Sequence, residues 1–412
     1  VADAVGNRPA RDQRVLVAAD KFKGSLTAVQ VAERVTAGLR RVVPGVEVTS
    51  LPVADGGDGT VDAAVAAGFE RREVTVAGPL GDEVSAAFAL RGDTAVVEMA
   101  EASGLQRLPD GVLAPLSAST YGSGELLRAA LDAGARTIVF GVGGSATTDG
   151  GAGMLSALGA RFLDADGQPV PPGGGGLVEL ASADLSGLDP RLGAVELVLA
   201  SDVDNPLTGP KGAPAVYGPQ KGASPDDVQA LDEALAHFAK ILEGAPGPTG
   251  AAGPGGSSGA GDARGGGDTA LLGARAAECA VSPGAGAAGG IGYGALLIGA
   301  RFRPGIDVML DVLGFAAALE NAELVITGEG SLDEQTLHGK APAGVAAAAR
   351  AAGKEVVAVC GRLALPPEAL GRAGIRRAYP LTGVEPDVAT CIADAGPILE
   401  RVAEKIARDF LV

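Results

Sequence analysis

Five glycines, two threonines, a serine and an aspartate fall within residues 141–151, Gly-Val-Gly-Gly-Ser-Ala-Thr-Thr-Asp-Gly-Gly, directly after the apolar run 137–140. Glycines let backbone N–H groups approach a ligand, and the hydroxyls and carboxylate add donors and acceptors at the same place. That is anion-binding chemistry; its plain alternative is a capped strand-to-helix turn. Further polar residues follow other apolar runs: Asp20 with Lys23, Asp55 with Asp58, Glu329 with Asp333, and Cys360 with Arg362. In an open parallel α/β sheet, ligands sit beyond the carboxyl ends of the strands, so these side chains project to one crevice if their strands share a sheet. Carboxylates beside glycine loops suit phosphoryl transfer, in which Mg²⁺ bridges the donor phosphates, N–H groups and lysines stabilise charge, and a carboxylate accepts the acceptor hydroxyl's proton. Lys23 and Lys340 supply positive charge for a phosphate.

Other chemistries fit less well. No Gly-x-x-x-x-Gly-Lys-Ser/Thr segment is present, which argues against a P-loop nucleotidase. Gly141 to Ala146 matches the relaxed fingerprint Gly-x-Gly-x-x-Ala, with Asp164 about twenty residues on, so an NAD(P)-dependent oxidoreductase is the rival enzyme class. Thr147, Thr148 and Asp149 would then lie where that fold wants apolar packing. His237 and His338 are too far apart for a metal spacing or a triad, and Cys360 lacks a local histidine. A non-catalytic protein that binds a small acid is the third class.

The elements that must position these residues alternate. Residues 15–19 form a short apolar run, read as a buried parallel strand, followed by a polar loop and a helix that Ser25 or Thr27 caps. Residues 46–53, the loop 54–60 and a helix 61–67 repeat the unit. Residues 84–90 and 94–98 around Arg91-Gly92-Asp93 then read as an antiparallel hairpin, the start of a second domain. Strands are predicted at 137–140, 195–200, 323–326 and 356–359. The fold class expected is α/β: a doubly wound, Rossmann-like parallel sheet built from residues 14–78 and 290–412, with a second α/β domain, 79–289, inserted. Residues 1–13 read as a disordered tail. Residues 244–268 read as a flexible low-complexity insertion, because their few Gly-X-Y triplets cannot sustain a collagen helix.

Composition narrows the partners. The 412 residues carry 33 Lys and Arg against 50 Asp and Glu, a net charge of −17, which repels nucleic acid and anionic membranes. Three cysteines, Cys279, Cys360 and Cys391, are too few and too scattered for a disulfide framework. With no stretch approaching the roughly 18 apolar residues of a membrane span, a soluble, cytoplasmic protein is expected. The oligomeric state stays open.

Together the loops resemble the bacterial glycerate kinase family, from about Val15 to about Gly383. The residues that carry the resemblance are Asp20-Lys21-Phe22-Lys23-Gly24-Ser25-Leu26, the segment 52–60 (Pro-Val-Ala-Asp-Gly-Gly-Asp-Gly-Thr), residues 141–153, Asp202-Val203-Asp204-Asn205-Pro206-Leu207, Gly218-Pro219-Gln220-Lys221-Gly222-Ala223, and Ile326-Thr327-Gly328-Glu329-Gly330 with Asp333, Gln335, Thr336, Gly339 and Lys340. The chain departs from the family's usual pattern at Lys21, Gly24, Asp58 and Thr148, and at the inserted residues 244–268. The resemblance implies ATP-dependent phosphorylation of D-glycerate with Mg²⁺, by a two-domain protein whose sheet domain is interrupted by the other. On that footing glycerate is expected between the domains, its carboxylate met by Lys23. Asp55 is the preferred base, with Asp20 beside it, and Asp202 or Glu329 holds Mg²⁺. Ser25, Gly56, Gly57, Gly143, Gly144, Ser145, Thr147, Asp149, Lys221, Gly328, Gly330 and Lys340 are expected to bind substrate or phosphate. Whether the 2- or the 3-hydroxyl is phosphorylated is left open.

Overall fold

A computed structural model describes residues 13–247, 272–337 and 339–412. They form two compact α/β units, one from the two ends of the chain, up to Asp55 and from Met309 onward, and one from residues 56–308. The expected tail, apart from Gln13, the expected insertion beyond residue 247, and His338 all lie outside the described residues. In chain order the strands are β1 (Arg14–Ala19), β2 (Glu47–Ser50), β3 (Glu70–Ala77), β4 (Glu83–Arg91), β5 (Thr94–Glu98), β6 (Thr137–Gly141), β7 (Arg161–Leu163), β8 (Ser182–Asp184), β9 (Glu196–Ala200), β10 (Arg301–Arg303), β11 (Leu324–Leu332), β12 (Glu355–Leu363) and β13 (Arg377–Pro380).

The unit built from the chain ends has a five-stranded sheet in the order β13-β12-β11-β1-β2, parallel throughout. Val15, Val17 and Ala19 of β1 pack with helices Ala28–Val42 and Ala395–Phe410. Leu16 and Ala18, equally buried, point to the other face, so both faces need cover and the strand reads as a continuous apolar run. Thr27, not Ser25, caps the first helix, with Gln30 completing a capping box. The two helices approach so closely that a Cβ on Gly38 would lie 2.2 Å from Glu400 O. Glu400, buried between them, pairs with Arg34 at 2.6 Å and with Arg41.

The middle unit has a six-stranded mixed sheet in the order β10-β9-β6-β5-β4-β3, in which the β3–β4 and β4–β5 pairs are antiparallel and β5, β6, β9 and β10 are parallel. The β4–β5 hairpin closes at Arg91↔Thr94 through Gly92, whose φ of +61° suits a two-residue turn. Residues 56–78 and 290–308, expected with the chain ends, belong to this unit instead. The cause is pairing: β3 is zipped to β4 from Glu70↔Leu90 to Ala77↔Glu83, and β10 to β9. Helices Tyr121–Asp132, Ala152–Ala157 and Pro225–Leu242 contribute to its core, where Phe238 meets Phe162 and Tyr293 edge to face at 5.2 and 6.0 Å.

Candidate active site

In the chain-end unit, acidic groups gather where β1 and β11 run side by side. Asp20 N donates to Gly328 O at 2.8 Å, which sets Asp20 next to the Glu329 segment. Past β2 the chain stays extended along β1: Leu51 N and Val53 N donate to Val17 O and Ala19 O at 2.9 and 3.1 Å. That path delivers Asp55 to the same end of β1. Burial first, and then the charge of Asp55, push Asp20 up to about 7; the Lys21 N–H bond at 2.6 Å opposes this and Glu329 adds to it.

The Thr327–Leu332 stretch, predicted as a loop, is strand. β12 pairs with β11 from Leu324↔Glu355 to Leu332↔Leu363 and so extends it through the glycines. Glu329, opposite Cys360, is buried; it accepts from Thr336 Oγ1 at 2.6 Å and faces Lys340 Nζ at 3.5 Å. Burial raises its pKa, and both partners oppose the rise. A Cβ on Gly328 would stand 2.2 Å from Val359 O, so glycine is needed there for packing, and one on Gly330 would be a tight 3.3 Å from Lys23 N. Lys23 is exposed, and Ser25 Oγ donates to Phe22 O at 3.1 Å within its own tight loop. Burial pushes the Cys360 thiol up to about 12, which suits a core residue and not a nucleophile.

In the middle unit, two glycine loops pack backbone to backbone. Gly143 N donates to Gly56 O at 3.3 Å. A Cβ on Gly141 would meet Gly56 O at 2.6 Å, one on Gly143 would meet Gly57 Cα at 2.4 Å, and one on Gly144 would meet Asp58 Oδ1 at 2.0 Å. These glycines are required by each other before any ligand arrives. The dinucleotide fingerprint does not form its turn: the helix after β6 starts only at Ala152, and the intervening residues serve this loop pairing. The oxidoreductase expectation loses its structural basis there.

Beneath the loops lies a buried polar network. Lys221, 2 % exposed, donates to Ser145 Oγ at 2.9 Å and to Thr147 O at 2.5 Å, and Ser145 Oγ donates to Ala288 O at 2.9 Å. Ala288 has a φ of 53° and leads into Gly289 and Gly290, also left-handed. Burial pulls Lys221 down to about 7, with the charge of Asp149 working the other way. Asp149 is fully buried: Oδ2 accepts from Thr120 N, Thr120 Oγ1 and Gly153 N at 2.9, 2.8 and 3.2 Å, and Oδ1 accepts from Gly151 N at 3.1 Å. Its pKa is raised by burial against those bonds. The structure thus places Thr147, Asp149 and Lys221, which the sequence puts at the ligand, in the buried interior.

Asp202, just past β9, accepts from Gly305 N at 2.8 Å. Among the described residues no three His, Cys, Asp or Glu side chains converge as a metal-binding group. Single carboxylates such as Asp202 and Glu329 nonetheless suit Mg²⁺, which keeps several waters and takes one or two protein carboxylates plus substrate phosphates. His237 lies with its Nε2 2.7 Å from Leu180 O, a structural contact. Sequence reasoning passed over Glu98, a buried acid at the end of β5, because it closes an otherwise ordinary apolar strand. No described helix is long and apolar enough to cross a membrane.

The profile of the family described as the glycerate kinase family matches residues 15–411. A glycerate kinase of Bacillus subtilis (strain 168) is 44% identical over 398 residues, covering 96% of this chain and 97% of the relative. A glycerate 2-kinase of Escherichia coli (strain K12) is 41% identical over 355 residues, with 85% of each chain covered. A crystal structure assigned to glycerate kinase 2 from Salmonella typhimurium LT2 superposes with a TM-score of 0.77 at 39% identity, covering 97% of this chain and 99% of that one.

Proposed function

The chain belongs to the glycerate kinase family, and from that premise we propose that it transfers the γ-phosphoryl group of ATP to a hydroxyl of D-glycerate, giving phosphoglycerate and ADP. The observation that carries the mechanism is the Asp20–Asp55 pair. Burial and the neighbouring Asp55 charge raise Asp20 to about 7, which gives an acceptor near the working pH, as general-base catalysis wants. The hydroxyl proton passes to Asp20 as the substrate oxygen bonds to the γ-phosphorus and the bond from phosphorus to the β–γ bridging oxygen breaks, releasing ADP. The sequence points to Asp55 as the base; Asp20 is the residue with the raised pKa, so Asp20 takes the proton and Asp55 acts through its charge on Asp20.

Lys23, exposed, meets the glycerate carboxylate, and Lys340 stabilises phosphate charge from its place beside Glu329. In the middle unit the glycine backbone at 56–57 and 143–144, with Gly143 N–H already donated to Gly56 O, lets anionic oxygens approach closely, while Ser145, Thr147, Asp149 and Lys221 hold that backbone in place. Mg²⁺, when bound with the nucleotide, neutralises charge on the transferring phosphates; Asp202 or Glu329 would hold it. The name of the Escherichia coli relative makes the 2-hydroxyl the acceptor to test first. ADP release measured with D-glycerate and Mg-ATP tests the activity, and ³¹P NMR of the product tells 2-phosphoglycerate from 3-phosphoglycerate. Absence of glycerate-dependent ADP release would end this reading.

A further inference from the structure

Glu98 is 2 % exposed and stands at the join of the two glycine loops. Through its backbone it is the β-sheet neighbour of Gly141, where one loop begins. Through its carboxylate it holds the other: Gly59 N donates to both Oε1 and Oε2 at 3.1 Å, and Val61 N donates to Oε2 at 3.1 Å. Gly59, with a φ of 92°, is the N-cap of helix Thr60–Ala66 and has no side chain to cap it, so Glu98 supplies the cap from another strand. The tethered segment is the one whose Gly57 and Asp58 press on Gly143 and Gly144.

We propose that Glu98 is a positioning residue for phosphoryl transfer, a charged acceptor that fixes the 57–61 backbone and, through it, the paired glycine loops against which substrate oxygens bind. This rests on the reading that those loops bind substrate. The charged groups facing Glu98 are Asp58 and Glu101, both acidic; Glu101 is itself engaged by Arg107 at 3.1 Å and Arg71 at 4.0 Å. No cation is paired with Glu98 among the described residues. Burial therefore raises its pKa to about 7, with the Val61 and Gly59 N–H bonds opposing and the two acids reinforcing the rise. The tether is charge-assisted above that pH and weakened below it. An ordinary structural carboxylate would have been ionised throughout the working range.

The test compares wild type with Glu98→Gln, which keeps the size and one acceptor oxygen and imitates the protonated acid, and with Glu98→Leu, which removes both acceptors. Wild-type turnover of D-glycerate tests the kinase reading by itself. Given that turnover, kcat/KM of Glu98→Gln should be on the order of tenfold lower than wild type at pH 8, and the two should converge below pH 6. Glu98→Leu should be low at every pH. The contribution of Asp20 is common to all three and drops out of the ratios. Hydrogen exchange of the Gly59 and Val61 amides, read at pH 8 without substrate, should be faster in Glu98→Gln than in wild type. This second readout stands even if the substrate proves to be something else. A wild-type to Glu98→Gln ratio that stays constant from pH 5.5 to 9, or unchanged exchange at those two amides, would overturn the proposal.

Discussion

Asp20 carries a pKa of about 7 because burial and a neighbouring carboxylate both disfavour its charge, and the two causes can be separated. As a base it must be ionised, so kcat/KM should rise with pH through the neutral region. Asp55→Asn removes the like charge and should move Asp20's limb to lower pH, besides lowering turnover; Asp20→Asn should abolish that limb, with a loss of roughly 10²–10⁴ in kcat. A pH–rate profile for each variant decides this, and an unchanged profile in both would take the pair out of the mechanism. The two metal candidates separate in the same way. Whichever of Asp202→Asn and Glu329→Gln weakens the Mg²⁺ dependence of turnover by on the order of tenfold or more marks the residue that holds the ion. If neither does, the ion is held by phosphates and water alone.

Two glycines separate packing between helices from packing between loops. Gly38→Ala forces a Cβ to 2.2 Å from Glu400 O and 2.7 Å from the Ala403 Cβ, and should destabilise the chain-end unit by about 1–3 kcal/mol in urea while leaving the turnover of the folded enzyme near wild type. Gly143→Ala drives its Cβ to 2.4 Å from Gly57 Cα and should do the reverse, lowering kcat/KM more than it lowers stability. Equal losses of both kinds in the two variants would show that the loops matter only for folding. What the sequence revealed at this scale follows from how local each signal is. The run of Val15 to Ala19 is buried on both faces, so its apolarity announces a parallel strand without help. β3, in contrast, reads Glu-Arg-Arg-Glu at its start and is defined by its partner β4, which no local pattern displays. The glycines around Glu329 look like a loop because isolated glycines weaken strands, and only the long register with β12 keeps them extended. Asp149 and Lys221 have the composition of a ligand site, yet depth in the fold decides whether a polar side chain meets substrate or supports what does.

At the scale of the whole chain, the buried ionisable groups predict an unusual pH dependence of stability. Asp20 and Glu98 rise to about 7 in the fold from 3.8 and 4.5, while Lys221 falls to about 7 from 10.5. Between pH 4.5 and 7 the unfolded acids are ionised and the folded ones still bind protons, so stability falls as pH rises. From pH 7 to about 10 the unfolded lysine is protonated and the folded one is not, so stability rises with pH. Each group contributes a slope of about 1.4 kcal/mol per pH unit within its window. These three groups alone give a minimum near pH 7, and Glu329 and Asp149, also raised by burial, add to the fall in stability as pH rises. The net charge of −17 adds self-repulsion that also eases as pH falls, but salt screens that term and leaves desolvation of buried groups largely intact. Thermal midpoints measured from pH 5 to 9.5 at low and high salt should therefore keep the minimum at both. Lys221→Met should erase the alkaline rise and Glu98→Gln should reduce the acid-side slope. A curve that changes monotonically at high salt would mean that these three groups are better solvated than their burial indicates.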